Sequence, residues 1–203
     1  MQQINLNKKI KNYSDLYSKE ELLNLLKKEK PKNEEEFIEL LYKDLESIIV
    51  CIERGANYRS EDSEDRITLD IINMLEQKAY DVSHDEDQRG HVDIIVKKNS
   101  YIWIAEAKLH RDYQWLIKGI GQLQRYNTGK IINTGLLIYI KNKNAKKIIN
   151  EWKTVICKNS VCNFKKIIEE DSINLRFISI HEHDGSGLDI KIKHFPVLLH
   201  YES

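Results

Sequence analysis

The sequence predicts an α/β protein: a three-layer sandwich with a mixed central sheet, a helical appendage before it and extra strands after it. Three observations lead there. Apolar residues recur at helical spacing near the start of the 203-residue chain, then give way to mixed helical and strand-like runs. From residue 60 onward the order reads helix, strand, strand, strand, helix, strand, helix. One of those strands, "TGLLIYI", is almost continuously apolar, as a strand covered on both faces must be.

Each element has a local cause. "YSKEELLNLLKKEK" begins with Ser18 as N-cap and Glu21 three residues on, a capping box, and Pro31 stops the helix. "NEEEFIELLYKDLESIIVCIERG" restarts behind Asn33 with acids in the first turn. Phe37, Leu40, Leu41, Leu45, Ile48, Ile49 and Ile52 make its apolar stripe, and Gly55 ends it. Residues 1–55 carry no chemistry of their own and are expected to form a helical appendage that packs on the core or docks a partner protein. Residues 56–203 form the main domain. "SEDRITLDIINMLEQKAY" is a helix with Ile67, Ile71, Met74, Leu75 and Ala79 on one side. "YDVSHDEDQRG" is a strand running into a loop, and "HVDIIVKK" and "YIWIAEAK" form a hairpin around the turn "KKNS". "YQWLIKGIGQLQRYNTG" is a helix ending at Gly129, and "NAKKIINEWKTVICKN" is another amphipathic helix. The tail from Ile173 alternates and carries a Gly-Ser-Gly turn, which adds two or three strands.

Composition narrows the function. The chain is 41% apolar and 32% charged, with two prolines and eight glycines, as a globular protein without a long linker. No apolar run reaches bilayer length and the amino end has no apolar leader, so a cytoplasmic location and no membrane partner are expected. Cys51, Cys157 and Cys162 form no CxxC pair and read as reduced packing residues, not zinc ligands. Net charge is zero, but Lys32–Asp93 holds 7 basic and 18 acidic residues while Lys108–Lys166 holds 13 basic and 2 acidic. Such segregation points the basic half at a polyanion.

The chemistry lies in the hairpin. Side chains alternate across a strand, so Asp93 shares a face with Ile95, and Glu106 and Lys108 share one with Ile102 and Ile104. When the register sets Asp93 beside Glu106, two carboxylates meet, and a hard divalent cation such as Mg2+ or Mn2+ relieves their repulsion. Lys108 then reaches a metal-bound water or a phosphate, the pattern of metal-assisted phosphodiester hydrolysis. The competing reading is a solvent-facing set of cross-strand ion pairs, which the apolar Ile102 and Ile104 oppose. Downstream, Gln122 and Tyr126 lie four apart on the helix face of Lys118, roughly in line with Gly119. Gly119 and Gly121 each cost that helix about 1 kcal/mol, which a close backbone approach would explain. Glu64 lies near the buried edge of its helix and points toward the same site.

The arrangement resembles the PD-(D/E)XK nuclease superfamily, with its restriction-endonuclease-like fold, over about Glu61 to Ile140. The resemblance rests on "GHVDII", on "EAK" ending an apolar strand, on "QLQRY" as the Gln-x-x-x-Tyr element of the RecB-like and phage-exonuclease-like branches, and on Glu64 upstream. Val92 stands where the name-giving proline would be. The resemblance implies a Mg2+- or Mn2+-dependent nuclease acting on nucleic acid, on DNA in preference to RNA, in defence against foreign DNA, with a partner or as a homo-oligomer. It implies that Asp93, Glu106, the Ala107 carbonyl and Glu64 hold the metal, and that Lys108 positions the attacking water. Gln122 and Tyr126 would orient the phosphate. Arg111, Lys118, Arg125 and Lys130 would line the path of the backbone. The alternative is a non-catalytic nucleic-acid-binding or assembly subunit of the same fold. "HEHD" at His181–Asp184 reads as a solvated strand end rather than a metal site. Trp103 and Trp115 read as core.

Overall fold

The computed structural model describes residues 18, 31–84, 92–158 and 161–202. Residues 19–30 of the helix expected behind Ser18, and the Gly90–His91 start of the "GHVDII" motif, lie outside them. Two compact units divide between Tyr42 and Lys43, within the helix α1 (Glu34–Arg54). In the first unit Asn33 caps α1 as expected. Its Oδ1 accepts the Glu36 N–H at 2.8 Å, while Glu36 Oε2 reaches back to the Lys32 N–H at 2.7 Å.

The second unit, 43–203, is built on a seven-stranded mixed sheet. After α1 come α2 (Glu64–Gln77), β1 (Asp81–Ser83), β2 (Ile94–Lys98), β3 (Tyr101–Leu109), α3 (Tyr113–Tyr126), β4 (Asn133–Ile140) and α4 (Ala145–Lys158). Three strands follow: β5 (Phe164–Asp171), β6 (Arg176–Glu182) and β7 (Asp189–Leu198). The sheet order is β1-β2-β3-β4-β7-β6-β5, with β3, β4 and β7 parallel and the other pairs antiparallel. The α/β class, the mixed sheet and the helix-strand-strand-strand-helix-strand-helix order match the sequence expectation.

Helices cover both faces. Leu116, Ile120 and Leu123 of α3 and Ile148, Ile149, Trp152 and Ile156 of α4 share one cluster with Ile95, Ile104, Leu136, Ile138 and Ile192 of the sheet. On the other face, Thr68 of α2 hydrogen-bonds the buried Tyr139 hydroxyl at 2.9 Å. Polar anchors fasten the Lys43–Arg54 part of α1 within this unit. Asp44 accepts from Tyr80 and Lys78, and Glu46 pairs with Arg176 and Lys193.

Local details differ from expectation for identifiable reasons. Strand β5, "FKKIIEED", goes beyond the sequence expectation: it is an edge strand with charged residues on both faces and two register irregularities, so it lacks clean alternation. Helix α3 stops at Tyr126, three residues before Gly129, because the Asn127 side chain takes the Gly129 and Ile131 N–H groups. Cys51 and Cys157 are exposed rather than packed, and all three thiols are free. Among the described residues no helix is long and apolar enough to cross a membrane.

Candidate active site

Strand β3 outruns β2. Their ladder ends where Ile94 pairs with Ala105, yet β3 continues to Leu109. Beyond that point the next donors on the uncovered edge, the N–H groups of Ala107 and Leu109, need other acceptors. Asp93 Oδ2, one residue before β2, accepts from Ala107 at 2.8 Å. Glu64 Oε2, from the first residue of α2, accepts from Leu109. Two carboxylates are thereby pinned by backbone at the carboxyl end of the parallel β3–β4 pair, where α/β sheets place their ligand sites.

Lys108 lies between them. Its Nζ donates to Glu106 Oε2 at 2.8 Å and to Asp93 Oδ2 at 3.3 Å, and stands 3.9 Å from Glu64 Oε1. The expected register is realised, since Asp93 lies one step beyond the Ile94–Ala105 pair and so opposite Glu106. Burial is graded: the Glu106 side chain is 0% exposed, Lys108 4%, Glu64 21% and Asp93 27%. Helix α3 seals the buried end. A methyl at Gly119 would lie 3.0 Å from Leu136 Cδ1 and 3.1 Å from Lys108 Cγ, so glycine lets the helix backbone rest on the lysine stem without either side chain giving way. Gly121 has no such reason, because a methyl there would meet only Cys162 Sγ at an ordinary 3.9 Å.

The electrostatics follow from this packing. Burial, reinforced by the Asp93 charge and only partly offset by Lys108, pushes the Glu106 carboxyl up to about 8. Burial alone would lower the Lys108 ammonium, but Glu106, Asp93 and Glu64 outweigh it and hold the lysine above its ordinary value. The second oxygen of Glu106, Oε1, is buried without a hydrogen-bond partner.

Among the described residues no group of three or more His, Cys, Asp or Glu stands ready as a metal cage. The cation at the centre of Glu64, Asp93 and Glu106 is the Lys108 ammonium. The donor chemistry nonetheless fits a hard divalent ion. It is all oxygen, three carboxyl groups converge there, and one buried acceptor, Glu106 Oε1, has no partner.

The remaining expected residues lie around this cluster. Ala107 is fully buried between Glu106 and Lys108. Gln122 and Tyr126 are half-buried on α3; among the described residues neither hydrogen-bonds to the four clustered side chains, and the Tyr126 ring packs against the core. Arg111, Lys118, Arg125 and Lys130 are exposed.

Two sequence readings are corrected. Trp103 is core, but Trp115 is half-buried at the cluster, its Nε1–H donating to Glu64 Oε2 at 3.4 Å. The "HEHD" segment is not a solvated strand end. His181 is fully buried, with Nε2 bonded to Ser179 and Nδ1 to the Cys162 carbonyl, and His183 is held by Ser186 and the carbonyls of Gln124 and Asn127. No sequence signal marks either outcome, because both depend on which distant element lies overhead. Comparison with family models, with curated proteins and with solved structures finds no match for this chain.

Proposed function

We propose that the chain is a metal-dependent nuclease that hydrolyses phosphodiester bonds, of DNA in preference to RNA, with Mg2+ or Mn2+ as cofactor. One observation carries the reading. A buried lysine and a buried glutamate, two residues apart on one strand, converge with Asp93 and Glu64 at the carboxyl end of a parallel strand pair. A scaffold gains nothing from burying this many charges, since an apolar cluster of the same volume is as stable or more so. The order of "GHVDII", "EAK" and "QLQRY" supports the reading through its resemblance to PD-(D/E)XK nucleases, as does the basic segment that follows.

Asp93, Glu106, Glu64 and the Ala107 carbonyl would hold the ion. When bound, a divalent cation polarises a phosphoryl oxygen and lowers the pKa of a coordinated water. Lys108 donates an ammonium N–H toward the phosphate or the attacking water and balances the negative charge that grows in the transition state. Gln122 and Tyr126 orient the phosphate from α3. Arg111, Lys118, Arg125 and Lys130 contact flanking phosphates without reading sequence. By the same resemblance the cleavage serves defence against foreign DNA in the cytoplasm, with a partner protein or a second copy.

The test is a cleavage assay on plasmid and single-stranded DNA and on RNA, with Mg2+, Mn2+ or EDTA. The wild type is expected to cut DNA only with metal, and Lys108→Ala and Asp93→Ala to lose cutting. Equal cutting by the variants ends the claim. A second reading, a non-catalytic nucleic-acid-binding or assembly subunit, is favoured by one observation: all three carboxylates already lean on Lys108. Calorimetric titration with Mn2+ separates the two, since a scaffold shows no binding that Asp93→Ala removes.

A further inference from the structure

Trp115 is fixed at both ends. Its backbone N–H is the third of α3 and is taken at 2.8 Å by Asp112 Oδ1, the helix cap. Its indole N–H donates to Glu64 Oε2 at 3.4 Å. Three cations surround the ring held in this way: Lys118 Nζ lies 4.8 Å from its centroid, the Arg111 guanidinium 5.1 Å and Lys108 Nζ 5.7 Å. Lys108 is buried and committed to the carboxylates. Arg111 and Lys118 are exposed, and among the described residues neither has a carboxylate partner.

Two long side chains on a surface ordinarily sample many rotamers, and each loses that freedom when it grips a ligand. An aromatic face that attracts both confines them beforehand. The result is a pair of uncompensated positive groups held at the edge of the carboxylate–lysine cluster by a residue that also touches the cluster. We propose that Trp115 is a positioning residue that gathers Arg111 and Lys118 into a clamp for nucleic-acid backbone phosphates beside the scissile one. The substrate class rests on the nuclease reading; the clamp itself rests on the indole and its cations.

The experiment measures binding without cleavage, by fluorescence anisotropy of a fluorescein-labelled DNA oligonucleotide in EDTA over a range of salt. The double variant Arg111→Ala/Lys118→Ala is expected to bind about tenfold more weakly, with the slope of log affinity against log salt reduced by about 1.5–2. Trp115→Leu moves most of the way to the double variant, whereas Trp115→Phe, which keeps a ring, retains most of the affinity. Added to the double variant, Trp115→Leu has no further effect, because the indole acts through the two cations. A spectroscopic readout excludes a merely structural role. Trp103 and Trp152 are fully buried, so the oligonucleotide quenches Trp115 emission in the wild type and quenches little in Trp115→Phe.

An unchanged salt slope in the double variant, or an effect of Trp115→Leu that simply adds to it, overturns the proposal. The two readings fail separately. A wild type that cuts nothing but loses its salt slope in the double variant upholds the clamp and removes hydrolysis. A double variant that binds and cuts like the wild type removes the clamp and leaves hydrolysis standing.

Discussion

Replacing Glu106 by glutamine is expected to stabilise the protein at neutral pH while removing the proposed activity. The folded carboxyl is pushed from an ordinary value of 4.5 up to about 8, by burial first and the Asp93 charge second. Between those two values the folded protein holds a proton at Glu106 that the unfolded chain has released. Stability from this group is therefore complete below about 4.5 and declines as pH rises toward 8. Each pH unit costs about 1.4 kcal/mol, so the penalty at pH 7 is on the order of 3 kcal/mol. Glutamine has the same shape and no charge to desolvate. Its carbonyl accepts the Lys108 hydrogen bond, and its amide takes the place of an oxygen that already lacks a partner. The expected gain is about 2–3 kcal/mol at pH 7, or very roughly 5–10 °C in melting temperature for a chain of this size, shrinking toward zero near pH 4.5. Urea unfolding of both proteins in EDTA across this pH range measures it. If glutamine is no more stable at neutral pH, or its advantage does not shrink in acid, Glu106 is ionised in the folded protein and the reasoning fails.

Two further perturbations probe the scaffold that carries the site. His194 is fully buried among Trp152, Ser179, His181 and Phe177, and burial, then His181 and Lys153, hold its imidazole well below the usual histidine range. Its contribution is complete above about pH 6.5 and is lost as pH falls below that, because the unfolded histidine gains a proton that the folded one refuses; His194→Gln should flatten this acid limb in urea titrations, and an unaltered limb would contradict the assignment. A methyl at Gly135 would strike the Trp103 indole across the β3–β4 pair, so Gly135→Ala should cost about 1–3 kcal/mol and shift buried tryptophan emission, whereas a neutral effect would mean the sheet yields freely there.

Much of this protein is written in local pattern. Alternation puts Glu106 and Lys108 on one side of their strand, and the hairpin register around the turn at Asn99 brings Asp93 beside them. The cap at Asn33, the continuous apolar run of β4 and the glycine at 119 likewise announce their roles through their neighbours. Tertiary structure alone decided the rest. That Glu64 accepts the Leu109 N–H across forty-five residues follows from β3 outrunning β2, an offset no short window contains. Trp115 is a half-exposed hub and not core, and His181 is buried and not solvated, because burial depends on what packs above a residue. Periodicity says which way a side chain points; only the assembled sheet and its covering helices say what it meets.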